Sequence, residues 1–190
     1  MPTALFISET AIKDRSFISD NVDVKYIREA ILYCQDVYIQ PKLGSTLYDL
    51  IGTQIVASTV TAVNQTLLDR FIQPILRWRV MGETAYFASN KVMNKGVMRQ
   101  NSENSQIADR GQLEQFQEKC NSKAEWYEQR LVDYLCEHES DYPTYQNPAN
   151  GVDVIQPDRG KVFTSPIFLG GSKRPTTIRG RYRDQQYPID

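Results

Sequence analysis

VKYIREAILYCQDVYIQPKLGSTLYDLI, Val24 to Ile51, is the stretch that decides the fold. Val24, Ile27, Ile31, Cys34 and Tyr38 recur at three- and four-residue steps, which puts them on one stripe of an α-helix. Lys25, Arg28, Glu29, Gln35 and Asp36 fall on the other side, and Asn21 or Asp23 stands where a cap is needed. Pro41 should break the register, because it has no N–H and its ring clashes with the preceding turn. Gly44 follows where a chain reversal needs φ > 0. Ser45 is placed to cap a second, shorter helix from about Thr46 to Ile55. The product is a helical hairpin, an element that suits assembly better than chemistry.

Working outward, Ser8 caps a short helix over Glu9 to Arg15, with Phe6 and Ile12 facing inward. VASTVTAV, Val56 to Val63, is small and β-branched, and fits a strand, a loop or a frayed helix end. In TLLDRFIQPILRWRVMGETAYFASN, Thr66 to Asn90, apolar residues occur on almost every side: Leu67, Leu68, Phe71, Ile72, Ile75, Leu76, Val80, Met81 and Ala85. Such a helix belongs in the middle of a bundle or in an oligomer interface. Pro74 should kink it or start a new helix at its first turn. NKVMNKGVMRQNSENS, Asn90 to Ser105, is polar and aperiodic and reads as a mobile loop. The last helix runs from about Ile107 to Glu139, with Leu113, Phe116, Cys120, Ala124, Tyr127, Leu131 and Leu135 as its stripe. Glu114, Glu118, Glu125, Glu128 and Arg130 should cover its outside. Tyr142–Pro143 ends it, and no repeat of solenoid type is evident.

The remainder is punctuated by Pro143, Pro148, Gly151, Pro157, Gly160, Pro166, Gly170, Gly171, Pro175, Gly180 and Pro188. Only VDVI, KVF, IFL and TTIRGRY between them could be strands, so this part cannot build its own core. Its aromatic and branched residues suit an arm ordered on a partner. The expected fold is therefore mainly α: a small bundle of about four helices over residues 1–143, with a long, irregular or extended C-terminal arm over 144–190 docking on neighbouring subunits.

At 190 residues with 41% hydrophobic and 24% charged residues, the chain can bury one core. Its formal net charge of −1 predicts no strong attraction to bulk nucleic acid or anionic lipid. The charge is unevenly spread: Tyr145 to Asp190 holds seven Lys and Arg against four Asp, a balance of +3 that leaves −4 for the rest. No apolar run approaches the roughly 18 residues that span a bilayer. The start, MPTALFISETAIKDRS, lacks a basic segment followed by a long apolar one, so no secretory signal is expected. Cys34, Cys120 and Cys136, odd in number and widely spaced, read as reduced thiols of a cytosolic setting, all three small core hydrophobes.

A search for chemistry finds no catalytic, cofactor-binding or metal-ligating set, and the chain reads as a non-enzyme. The single histidine, His138, falls near a helix end, where a cation favours the last carbonyls, and no ligand spacing accompanies it. Cys120 and Cys136 are too far apart along one helix to bond. LGGSKRPTT, Leu169 to Thr177, lacks the phosphate-loop spacing and a following helix. One stretch carries two readings. KRPTTIRGRYRDQQY, Lys173 to Tyr187, interleaves Arg with Tyr as a nucleic-acid-binding regulator would, or serves as a basic arm docking on an acidic neighbouring subunit. The acidic body favours the second.

The order of a short N-terminal element, a capped amphipathic helix, a Pro-Lys-Leu-Gly stop with Leu47–Tyr48 after it, a buried helix, a long final helix and an irregular tail resembles the head–tail connector (adaptor) proteins of tailed bacteriophages. FISETAIKDR and DVKYIREAILYCQDVYIQPKLGSTLYDLI look closest to the ring proteins of crAss-like phages. The resemblance covers Phe6 to Ile51 and, in outline, Thr66 to Tyr142; the tail is not covered. It implies a structural virion protein, made in the host cytoplasm and placed at the head–tail interface in the neck of the particle. It implies a homo-oligomeric, usually dodecameric ring under the portal protein, presenting a surface to the next tail or ring protein. DNA would pass through its channel without sequence-specific binding, with no membrane and no cofactor involved. The subunit and portal interface expected on that basis uses Leu67, Phe71, Ile75 and Trp78 of the buried helix, with Phe163, Phe168, Arg174, Arg179, Arg181 and Arg183 of the arm.

Overall fold

The computed structural model describes residues 4–93, 96–99, 110–151 and 154–159, all within the first of two compact units, Met1–Gly160. The second unit, Lys161–Asp190, lies outside the described residues. The fold is mainly α, as the periodicity predicts. In chain order it comprises α1 (Glu9–Arg15), α2 (Val24–Cys34), α3 (Gln40–Leu43), α4 (Ser45–Val56), α5 (Ala62–Leu67), α6 (Gln73–Ser89), β1 (Asn90–Met93), β2 (Gly96–Arg99), α7 (Arg110–Glu137) and α8 (Pro143–Gln146). A π-helical turn, Gln35–Ile39, joins α2 to α3, and a second, Leu68–Ile72, joins α5 to α6. Helical backbone is continuous through both, so the body is four main helices, with α1 and α8 as short additions.

The caps form where short-range chemistry places them. Ser8 Oγ accepts from Ala11 N–H at 3.1 Å, and Asp23, rather than Asn21, caps α2 by accepting from Lys25 N–H at 3.0 Å. Thr61 caps α5, so Val56 to Val63 is a helix end, a turn and a new helix start, with no strand.

Pro41 does not end its helix. In the π turn the Gln40 N–H reaches back to Gln35 O, and Pro41 then sits near the start of a fresh α turn, where its missing N–H leaves no bond unmade. Pro74 stands in the same place behind the second π turn, where the Gln73 N–H bonds Leu68 O. The two junctions share a wording the periodicity search overlooked: QDVYIQPKL at 35–43 and LDRFIQPIL at 68–76. Each exposes its Asp and buries its Ile and Leu.

Gly44 supplies the reversal at φ +75°, ψ 154°, a conformation open essentially to glycine alone. Ser45, expected as a cap, does something else. Its N–H donates to Ile155 O at 2.9 Å, and its Oγ accepts from Ile155 N–H at 3.0 Å. Asp158 N–H donates to Pro41 O at 2.8 Å, and Lys42 Nζ pairs with Asp158 at 2.6 Å. The stretch Val154–Arg159 is thus a strap across the α3–α4 elbow. The arm expected to leave the body at Thr144 instead begins by packing on its own chain: Tyr142 and Tyr145 are buried beneath α8.

One continuous core is made by Phe6 and Ile12, by Ile27, Ile31 and Cys34 of α2, by Leu47 and Ile51 of α4, by the α5–α6 helix and by Ala124, Leu131 and Leu135 of α7. Gln35, expected on the polar side of its helix, is buried, its amide satisfied by Phe6 N–H at 2.8 Å and Ala4 O at 3.0 Å. Cys34 and Cys120 are buried as expected, whereas Cys136 is exposed, since it lies on the outer side of α7 next to core Leu135. Part of the polar stretch read as a loop is an antiparallel hairpin, with Val92 opposite Val97 and Met93 opposite Gly96. Cross-strand pairing of KVM with GVM, a signal spread over two short runs, outweighs the flanking Asn and Lys.

Gly44→Ala should lower stability by about 1–3 kcal/mol, since a Cβ there would lie 2.8 Å from Pro157 Cδ in a backbone region closed to alanine. Gly52→Ala in α4 should raise it by up to about 1 kcal/mol, since its Cβ would meet Ala4 Cβ at an ordinary 3.8 Å. Urea midpoints measure both, and amide exchange at Ile155 and Asp158 should quicken only in the first variant.

Candidate interaction face

The longest helix is oriented by one buried ion pair. Arg79 of α6 donates from Nε and Nη2 to Glu128 Oε1 of α7 at 3.0 and 2.8 Å, and from Nη1 to Asn121 Oδ1 at 2.8 Å. Its guanidinium lies over the Tyr38 ring, 4.0 Å from the centre. The pair's side chains are only 8% and 6% exposed. Glu128, expected on the outside of its helix, is therefore a core residue, drawn in by a partner on a different helix.

At 3.6 residues per turn, a helix that points Glu128 inward must point Lys119, Lys123, Trp126, Arg130, Asp133 and Glu137 the other way. All six are exposed, at alternating four- and three-residue steps along a single line. This seam starts cationic and aromatic and ends acidic. Lys123 Nζ sits 4.1 Å above the Trp78 ring, and the Arg130 guanidinium lies 4.8 Å from the Trp126 ring and 5.6 Å from Phe71. Trp126 is 57% exposed. Among the described residues, no carboxylate reaches ion-pair distance of Lys119, Lys123, Arg130 or Arg77. Beside Trp78 a shallow cavity of about 240 Å³ is lined by Arg15, Ser16, Phe17, Arg77, Trp78 and Met81. Phe17 at its rim is 85% exposed.

The interface residues expected from the sequence are placed unevenly. Leu67, Phe71 and Ile75 are buried in the chain's own core under α2 and α7, so their apolar surface is not left over for a neighbour. Trp78 is half-buried and joins the face through Lys123 and the cavity. Phe163, Phe168, Arg174, Arg179, Arg181 and Arg183 lie outside the described residues. His138 bonds Tyr134 O through Nδ1 at 3.0 Å and packs on the Tyr134 ring. Among the described residues no three of His, Cys, Asp and Glu are grouped closely enough to hold a metal ion, and no helix is long and apolar enough to cross a membrane. The seam residues carry a visible three–four spacing, but it is a spacing of charges and one Trp, where the search was for apolar residues.

Electrostatics inside the body follow from burial. Burial raises the Glu83 carboxyl above its ordinary value, with the Arg79 charge acting against it. Burial likewise pushes the Cys34 thiol up, which makes it an inert packing group.

Residues 39–155 match a family of unknown function, DUF6712, over more than half of the chain. No curated protein and no solved structure matches.

Arg79→Met should cost about 3–5 kcal/mol, because it strands a buried carboxylate, while the double variant Arg79→Met/Glu128→Leu should recover most of that loss in a denaturation series. Glu83 gives a pH test. Its folded pKa is raised, so its contribution is complete below the ordinary value of 4.5 and is lost as pH rises through the folded value. Glu83→Gln should therefore gain on the native chain as melts move from about pH 4 to about pH 8.

Proposed function

We propose, from the premise that the chain belongs to the family of unknown function DUF6712, that it is a structural virion protein, a head–tail connector subunit that forms an oligomeric ring between portal and tail and extends the DNA channel. The observation that supports this most is the exposed seam of α7. A large aromatic and unpaired cations stand in line on the outside of the longest helix, a composition that marks protein contact surfaces. The helical hairpin and its elbow are the parts that carry the resemblance to connectors. The balance of −4 outside Tyr145 to Asp190 suits a channel through which a duplex slides without sticking. In this reading the described body forms the ring wall, and the arm beyond the strap, with Phe163, Phe168 and the Arg174 to Arg183 cluster, docks on neighbouring subunits or the portal.

Native mass spectrometry of the purified full chain, alone and mixed with a portal protein, is the test. A discrete ring, dodecameric by expectation and formed alone or only with portal, is the expected result. A chain that stays monomeric in both samples and binds no portal would overturn the reading.

A further inference from the structure

We infer that α7 meets a second copy of this chain head to tail, the Lys119–Lys123–Trp126–Arg130 half of its seam receiving the Asp133–Glu137 end of the neighbour's seam. The inference rests on the connector reading, which requires contacts that close into a ring. Its evidence is the order of charges along one exposed line. Lys119 and Lys123 are like charges at i,i+4, and so are Asp133 and Glu137. Each pair weakens an isolated helix, so the chain alone gains nothing from the pattern. Arg130 and Asp133 do not relieve it: Arg130 is held over Trp126 and Phe71, and Asp133 accepts from Gln129 at 2.9 Å.

A second copy supplies what is missing. Lys123 and Asp133 are ten residues apart, about 15 Å along the axis. A neighbour displaced by that spacing sets its acids against the cations of the first. Exposed Glu139 and Asp141 extend the acidic end past the helix. Trp126, in the middle of the cationic half, is the kind of residue that anchors an interface once water is excluded. A phosphate backbone fits less well, because one laid along the seam would run into Asp133 and Glu137.

Two full-length variants test this: Lys123→Glu/Arg130→Glu and Asp133→Lys/Glu137→Lys, each checked for a native circular dichroism spectrum and melt. Alone, each should self-associate at least about tenfold more weakly than the native chain under conditions where that chain assembles. Mixed in equal amounts, they should reassemble, with native mass spectra showing both variants in equal number in a ring-sized complex. Variants that assemble alone like the native chain would overturn the inference and leave the connector reading standing. A mixture that stops at two copies would overturn the head-to-tail geometry. A native chain that assembles with nothing would overturn the connector reading itself. A cation variant that assembles normally but loses duplex DNA at low salt would overturn the inference in favour of a nucleic-acid surface.

Discussion

The buried pair of Arg79 with Glu128 is the constraint on which the surface of this protein depends. Charge is costly to remove from water, and two charges stay buried only when each is held in good geometry. Here both guanidinium contacts to Glu128, the bond to Asn121 and the Tyr38 ring satisfy Arg79 from three directions. Those contacts reach from α6 to α7 and to the π turn after α2. Rotating α7 by even one residue would leave a carboxylate in the core without its partner. The helix is therefore held at a single angle, and its outer seam is presented as a consequence of what is satisfied inside.

A second constraint is the elbow at Gly44. The strap that crosses it bonds mostly through backbone atoms, while Ile155 itself is 41% exposed. The closing force is directional hydrogen bonding in a site too tight for any Cβ. The family match begins at Ile39, just before the elbow, and ends at Ile155, the strap residue bonded to Ser45. Its two ends meet in space at one turn of chain, so the matched region is closed on itself.

Much of the fold was legible because it is decided between near neighbours. Ser8, Asp23, the Ile27–Ile31–Cys34 stripe, the positive φ of Gly44 and the last helix all depend on residues within a few positions. The misreadings share the opposite property. Glu128 is acidic and periodic with exposed residues, and only Arg79, on another helix, shows that it turns inward. Ser45 looks like a cap until Ile155 arrives from the far end of the body. Pro41 looks like a stop because a π turn leaves no mark in a search for 3.6-residue periods. The apolar side of Leu67 to Met81 was visible, but whether its cover is a neighbour or the chain itself depends on tertiary packing. Of the expected interface residues described here, only Trp78 touches the exposed face, while Lys123, Trp126 and Arg130 became candidates through their shared orientation.

The repeated π junction bears on how this sequence tolerates change in length. Each π turn spends one more residue than an α turn on the same stretch of axis. Losing a single residue there can be absorbed by the hydrogen-bond ladder returning to α spacing, with little local damage. Everything after it, however, turns by about 100°. Leu43 or Leu76 would swing out of the core, and an exposed side chain would swing in. The extra residue therefore sets the phase between the two halves of each long helix, and a one-residue deletion would disturb the core downstream more than the junction itself.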